Sequence, residues 1–155
     1  MNKTYTPKRF RFEENTELRA ANKSVVERWF QADLATKEGA AKMHELFAEF
    51  GRKELRYRLE GTQELNGSEL LDHHRELSGS VASWVWEDLK ITGTQFPAVF
   101  WAFSSGRGML DGSEEEYFNR FVHLFVVEKG KIRLLREWVD PALDLARSGK
   151  TVPYL

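Results

Sequence analysis

Residues 117–139 read YFNRFVHLFVVEKGKIRLLREWV, and this stretch decides the architecture. From Tyr117 to Glu128 side chains alternate between two faces with the period of a strand. Tyr117, Asn119, Phe121, His123, Phe125 and Val127 share one face. Phe118, Arg120, Val122, Leu124 and Val126 share the other. Lys129-Gly130 is a tight-turn pair, and Lys131 to Val139 returns as a second strand. On that strand Leu135, Glu137 and Val139 oppose Leu134, Arg136 and Trp138. Both faces of the hairpin are apolar, so both need a cover.

Outward from the hairpin, Trp84 to Thr92 and Ala98 to Ser104 predict two more strands, and Leu55 to Leu59 alternates as a short one. The N-terminal part is helical in period. Leu18, Ala21, Val25, Val26, Trp29 and Phe30 form a stripe within a helix from Glu13 to about Leu34. A second helix is expected from Lys37 to about Phe50, with Met43, Leu46, Phe47 and Phe50 inward and Gly51 as its stop. Asn66 caps a third that runs to about Leu77, with Glu69 as reciprocal partner. Helices followed by an antiparallel meander give an α+β fold with the helices on one face of a curved sheet. A second copy is the simplest cover for the other face, so a homodimer is expected.

The chain has 155 residues, which suits one domain over 1–155, with 1–12 as a loose N-terminal arm. It has no cysteine, which excludes disulfides and thiolate chemistry and fits a cytoplasmic location. The 23 Lys+Arg and 24 Asp+Glu nearly cancel, so no field favours nucleic acid or a membrane surface. No apolar signal core or spanning run is visible. With 11 Phe, 5 Trp and 4 Tyr, the chain has the aromatic surface for a large core or for a pocket that takes flat rings.

Few residues can carry chemistry. Glu137 lies among apolar neighbours on its strand face, so its carboxyl either lines a cavity or pairs with an arginine across the sheet. A dry cavity would keep it neutral and make it a usable acid. Helical spacing groups His73 with Leu70 and Leu77, yet His74 lies three beyond Leu71, so periodicity does not choose between the histidines. Asn119 and His123 join the cavity if Phe121 faces it. No histidine spacing suits a metal. The acidic run Asp111 to Glu116 lacks calcium-loop spacing. Ser104 to Gly108 fits no phosphate loop and is expected to turn the chain. No cofactor is implied.

Several segments resemble a known family. Tyr117 to Phe125, the Lys129 to Ile132 turn and Arg136-Glu137-Trp138 resemble the SnoaL-like branch of the NTF2-like superfamily. Three more segments narrow the likeness to the phenazine-biosynthesis PhzA/PhzB family: His44 to Phe47, Asn66 through His73 to Trp86, and Gly149 to Pro153. The resemblance implies a dimer of cone-shaped, cystatin-like subunits. It also implies condensation of two aminocyclohexenone carboxylic acid molecules into a tricyclic precursor. The family's catalytic glutamate falls on Glu137, its helix histidine on His73 rather than His74, and a pocket tyrosine on Tyr117. Trp101 and Phe103 are expected as pocket walls. Three polar family positions are apolar here: Met43, Leu77 and Phe103. These departures leave open a different cyclase, isomerase or dehydratase reaction, or a non-catalytic binder of small aromatic or cyclohexenone acids on the same fold.

Overall fold

The computed structural model describes residues 15–58, 61–147 and 149. The expected arm over 1–12 lies outside the described residues. In chain order the elements are α1 (Thr16–Gln31), α2 (Lys37–Glu45), β1 (Phe47–Arg58), β2 (Gly61–Asn66) and α3 (Gly67–Ser80), followed by β3 (Val81–Gly93), β4 (Val99–Leu110), β5 (Glu116–Glu128), β6 (Lys131–Val139) and α4 (Pro141–Arg147). The six strands form one sheet in the order β2-β1-β6-β5-β4-β3. The α+β reading holds, and so does the meander of β3 to β6, all antiparallel neighbours.

The decisive hairpin forms as expected. Lys129 and Gly130 both take positive φ, 50° and 74°, as a two-residue turn matched to strand twist requires. Burial follows the alternation: Asn119, Phe121, His123, Phe125 and Val127 are buried, while Phe118, Val122, Leu124 and Val126 are only half-covered.

Several expectations change. The second helix ends at Glu45, because the Leu46 carbonyl accepts from Ile132 N (2.8 Å) and the chain runs on as β1 beside β6. Strand pairing therefore overrides the helical period, and Phe50 is 78% exposed instead of inward. Helix α3 has Asn66 as its N-cap residue, yet its side chain makes no capping bond, and the turn depends instead on Gly67 at φ 52°. Leu18 and Ala21 face solvent; the buried seam of α1 is Asn22, Val25, Val26, Trp29 and Phe30.

The largest departure is β1. It pairs antiparallel with β2 but parallel with β6, placing a parallel junction inside an otherwise antiparallel sheet. Ion pairs grip this junction on the outer face. Glu54 sits opposite Arg136 in register and accepts from its Nε at 2.6 Å. It also accepts from Arg56 Nη2 at 2.6 Å and lies 3.3 Å from Arg52 Nε. Hydrogen bonding from Arg136 leads in holding the Glu54 carboxyl down to about 2, against the penalty of burial.

Ser104 to Gly108 is strand, not a turn: it forms the middle of β4. The glycine at 106 is there for space. A Cβ on Gly106 would lie 2.2 Å from Trp84 Cζ2 and 2.8 Å from Phe121 Cε2. Two aromatic side chains thus lean on bare backbone and bring Trp84 over the sheet. We expect Gly106→Ala to cost about 1–3 kcal/mol by overpacking. Thermal unfolding checks this, and an unchanged midpoint would mean that Trp84 does not depend on the glycine.

Candidate functional site

The helices leave a cavity of about 230 Å³ over the inner sheet face. Trp29 of α1 and Trp84 and Trp86 of β3 wall it, together with Phe121. Lys53 and Glu137 supply charge inside it, Leu77 and Ser80 come from α3, and Asp144 and Arg147 from α4. Trp86 packs edge-on to Phe121, with ring centroids 5.1 Å apart. The indole N–H groups of Trp29, Trp84 and Trp86 are buried and have no hydrogen-bond partner among the described residues. A buried donor left unmet costs about 1–3 kcal/mol.

Glu137 is 5% exposed and lines the cavity. Among the described residues its ion-pair partner is not an arginine but Lys53, whose Nζ lies 3.3 Å from Oε2. The same oxygen lies 3.3 Å from His123 Nε2, too poorly aligned to count as a good hydrogen bond. Lys53 Nζ is also 3.3 Å from His73 Nε2 and 5.8 Å from the Trp29 ring centroid. Lysine therefore stands between the glutamate and the helix histidine. His123 is fully buried, and burial leads in pushing its imidazole below the ordinary range, against the pull of the nearby Glu137 carboxylate.

The remaining expected residues divide. His73, Leu77 and Tyr117 line the cavity. Asn119 is buried but does not line it: its Nδ2 donates to Asp144 Oδ1 (3.0 Å) and Tyr117 Oη (3.1 Å), and its Oδ1 accepts from Asp140 N (3.0 Å). It fastens α4 to β5. Trp101 and Phe103 point away from the site, because odd-numbered residues of β4 face outward while Phe100, Ala102 and Ser104 face the core. Trp101 stacks on Trp138 there (5.7 Å), and Phe103 is 45% exposed. Of the three apolar departures, Leu77 alone is a wall residue; Met43 is core, and Phe103 is outside.

Lys53 is not legible in the sequence, because the visible alternation covers only Leu55 to Leu59 and gives position 53 no face. Arg147 was missed with α4, a seven-residue helix. Its guanidinium lies 4.7 Å from the Tyr117 ring centroid beside the cavity. Proline opening such a segment was the available signal.

This arrangement meets its family at this point. A family model described as phenazine biosynthesis protein A/B matches residues 1–155. The chain belongs to the phenazine biosynthesis protein A/B family. It is 31% identical over 152 residues to phenazine biosynthesis protein PhzA2 of Pseudomonas aeruginosa, covering 93% of this chain and 90% of that one. The crystal structure of the phenazine biosynthesis-related protein PhzB2 from the same species superposes with a TM-score of 0.80 at 28% identity, covering 93% of this chain and 95% of that one. A Catenulispora acidiphila protein with a ketosteroid isomerase-like fold superposes at 0.66 with 14% identity, over 84% and 96% of the chains, which bears on the fold alone. The NTF2-like cone expected from sequence is therefore the fold of this family member. Among the described residues no helix is long and apolar enough to cross a membrane.

The neighbouring histidine has a structural consequence. His74 is 1% exposed, packed on His44 (5.6 Å), Phe47 (5.5 Å) and His73 (5.8 Å), and neither ring nitrogen has a hydrogen-bond partner among the described residues. Burial first, then Lys53, His73 and His44, push it down to about 2, with Glu137 opposing. The folded chain thus keeps it neutral, whereas the unfolded chain binds a proton below the ordinary value near 6.5. Stability from this residue is present above that value and falls as pH drops, by about 1.4 kcal/mol per unit. Denaturant titrations of His74→Phe at pH 6.5 and 4.5 should show a shallower loss than wild type; equal slopes would place the proton dependence elsewhere.

Proposed function

We propose that this chain acts in phenazine biosynthesis as a cofactor-independent condensation enzyme. It would join the amine of one aminocyclohexenone carboxylic acid to the ketone of another. The observation that carries this reading is Glu137, set between Lys53 and His123 on the floor of a tryptophan-walled cavity. An apolar cavity of about 150 Å³ holds one benzene. A cavity of about 230 Å³ therefore seats one ring within and leaves the second at the mouth, near Tyr117 and Arg147.

Imine formation needs proximity and protons. Holding both rings makes the encounter nearly unimolecular, worth at most about 7–11 kcal/mol. As the amine attacks, Glu137, having taken a proton from Lys53 Nζ across their 3.3 Å contact, gives it to the carbonyl oxygen and, reprotonated by the attacking nitrogen, assists loss of water from the carbinolamine. Acid catalysis of this kind contributes about 10²–10⁴-fold. Arg147 supplies a planar cation for a carboxylate at the mouth. Leu77 in the wall favours a second reading, a related cyclase or dehydratase acting on a ring with fewer carboxylates.

Glu137→Gln keeps the shape and removes the acid. Turnover of the aminocyclohexenone acid, followed by mass spectrometry of the tricyclic product, should fall at least about 100-fold with little change in unfolding temperature. Unchanged turnover ends the acid role. His73→Ala should weaken ligand binding while the variant still folds.

The outer sheet face supports a homodimer. Trp101, Trp138, Val122, Leu124 and Val126 are half-covered there, and Phe103 is exposed. Trp101 and Trp138 stack on each other there, with ring centroids 5.7 Å apart. Light scattering at micromolar concentration should give twice the 18.0 kDa chain mass; a monomer would overturn this.

A further inference from the structure

Lys53 has no assigned role, and its surroundings are those of a reacting amine. It is buried, it lines the cavity, and its Nζ lies 3.3 Å from Glu137 Oε2 and 3.3 Å from His73 Nε2. We propose that Lys53 is a nucleophile that forms a covalent imine with cyclic ketones bound in this cavity. The inference deepens the condensation reading and rests on it for the identity of the ketone.

A surface lysine is strongly hydrated and stays protonated, whereas one enclosed by aromatic walls loses that hydration. Here the proton has a destination. Crossing one 3.3 Å contact, it passes from Nζ to the Glu137 carboxyl and turns an ion pair into a neutral amine beside a neutral acid. Dry burial penalises the two charges and not the neutral pair, so the exchange needs no proton from solvent.

The chemistry then balances. The Nζ lone pair forms the C–N bond as the carbonyl π pair moves to oxygen, which takes the proton from Glu137. The nitrogen returns one proton to the carboxylate. Glu137 then protonates the carbinolamine hydroxyl, the C–O bond breaks, and water leaves. The protonated imine carries its positive charge beside the Glu137 carboxylate, where the ammonium charge stood before. An incoming amine displaces Lys53 from this carbon more readily than it would displace oxygen from the ketone, because the protonated imine is the stronger electrophile. The outcome is the substrate imine and a regenerated lysine.

The test uses the full chain, cyclohexanone or 3-oxocyclohexane-1-carboxylate as probe, and sodium cyanoborohydride at pH 7 as the hydride source. Peptide mass mapping then reads occupancy at each lysine. Lys53 should carry the secondary-amine adduct at least about 10-fold faster than Lys23, whose side chain is 46% exposed and serves as internal control. In Glu137→Gln the adduct at Lys53 should form about 10-fold more slowly, with Lys23 unaffected. Modification of Lys53 no faster than of Lys23 overturns the proposal, as does an adduct rate indifferent to Glu137→Gln. The two readings separate: if Glu137→Gln abolishes turnover while Lys53 stays unlabelled, condensation stands and the covalent step falls. Rapid, Glu137-dependent labelling of Lys53 in a chain that forms no tricyclic product from the aminocyclohexenone acid gives the reverse.

Discussion

One parallel strand junction, β1 against β6, carries charge on both sides of the sheet. On the outer side Glu54 is gripped by Arg136 and Arg56; on the inner side Lys53 meets Glu137. Successive residues of a strand face opposite ways, so Lys53 and Glu54 are forced to opposite sides. The outer cluster reaches solvent through its arginines and acts as a clamp. The inner pair is sealed under tryptophans, where attraction offsets desolvation only with close geometry. A stable fold could have met the inner requirement with hydrocarbon. A buried ion pair beside a cavity is a costly way to hold a sheet together and an economical way to hold a proton.

The rest of the site follows from where that junction lies. Helix α3 returns between β2 and β3 and brings His73 to the lysine while sending His74 into the core. Strand β3 can lay Trp84 over the floor because β4 offers bare backbone at Gly106. Helix α4 lines one side of the cavity through Asp144 and Arg147, with no buried residue of its own. It is tied instead by Asn119, Tyr117 and Asp144. A segment held by a few polar bonds opens more readily than one held by a core.

Family membership and geometry speak to different links. The match over the whole chain and the superposition on PhzB2 give the kind of protein this is. The cavity gives the groups that are present, and these are not simply a glutamate and a histidine. Lys53 between them changes the proton inventory, since the pair shares one mobile proton where an isolated acid would hold its own.

By itself, the sequence determined the elements with strong, local periods. The β5–β6 hairpin is legible because an alternating pattern and a two-residue turn are properties of neighbours in the chain. The seam of α1 from Val25 to Phe30 and the suspicion attached to Glu137 come from the same kind of signal. Tertiary structure alone decided the parallel pairing of β1 with β6, roughly eighty residues apart, because nothing in either segment records its partner. With that pairing came the end of α2, the exposure of Phe50 and the place of Lys53. The choice between His73 and His74 was likewise a matter of packing: one position around a helix separates a cavity from a core, and only the neighbours across the gap say which is which.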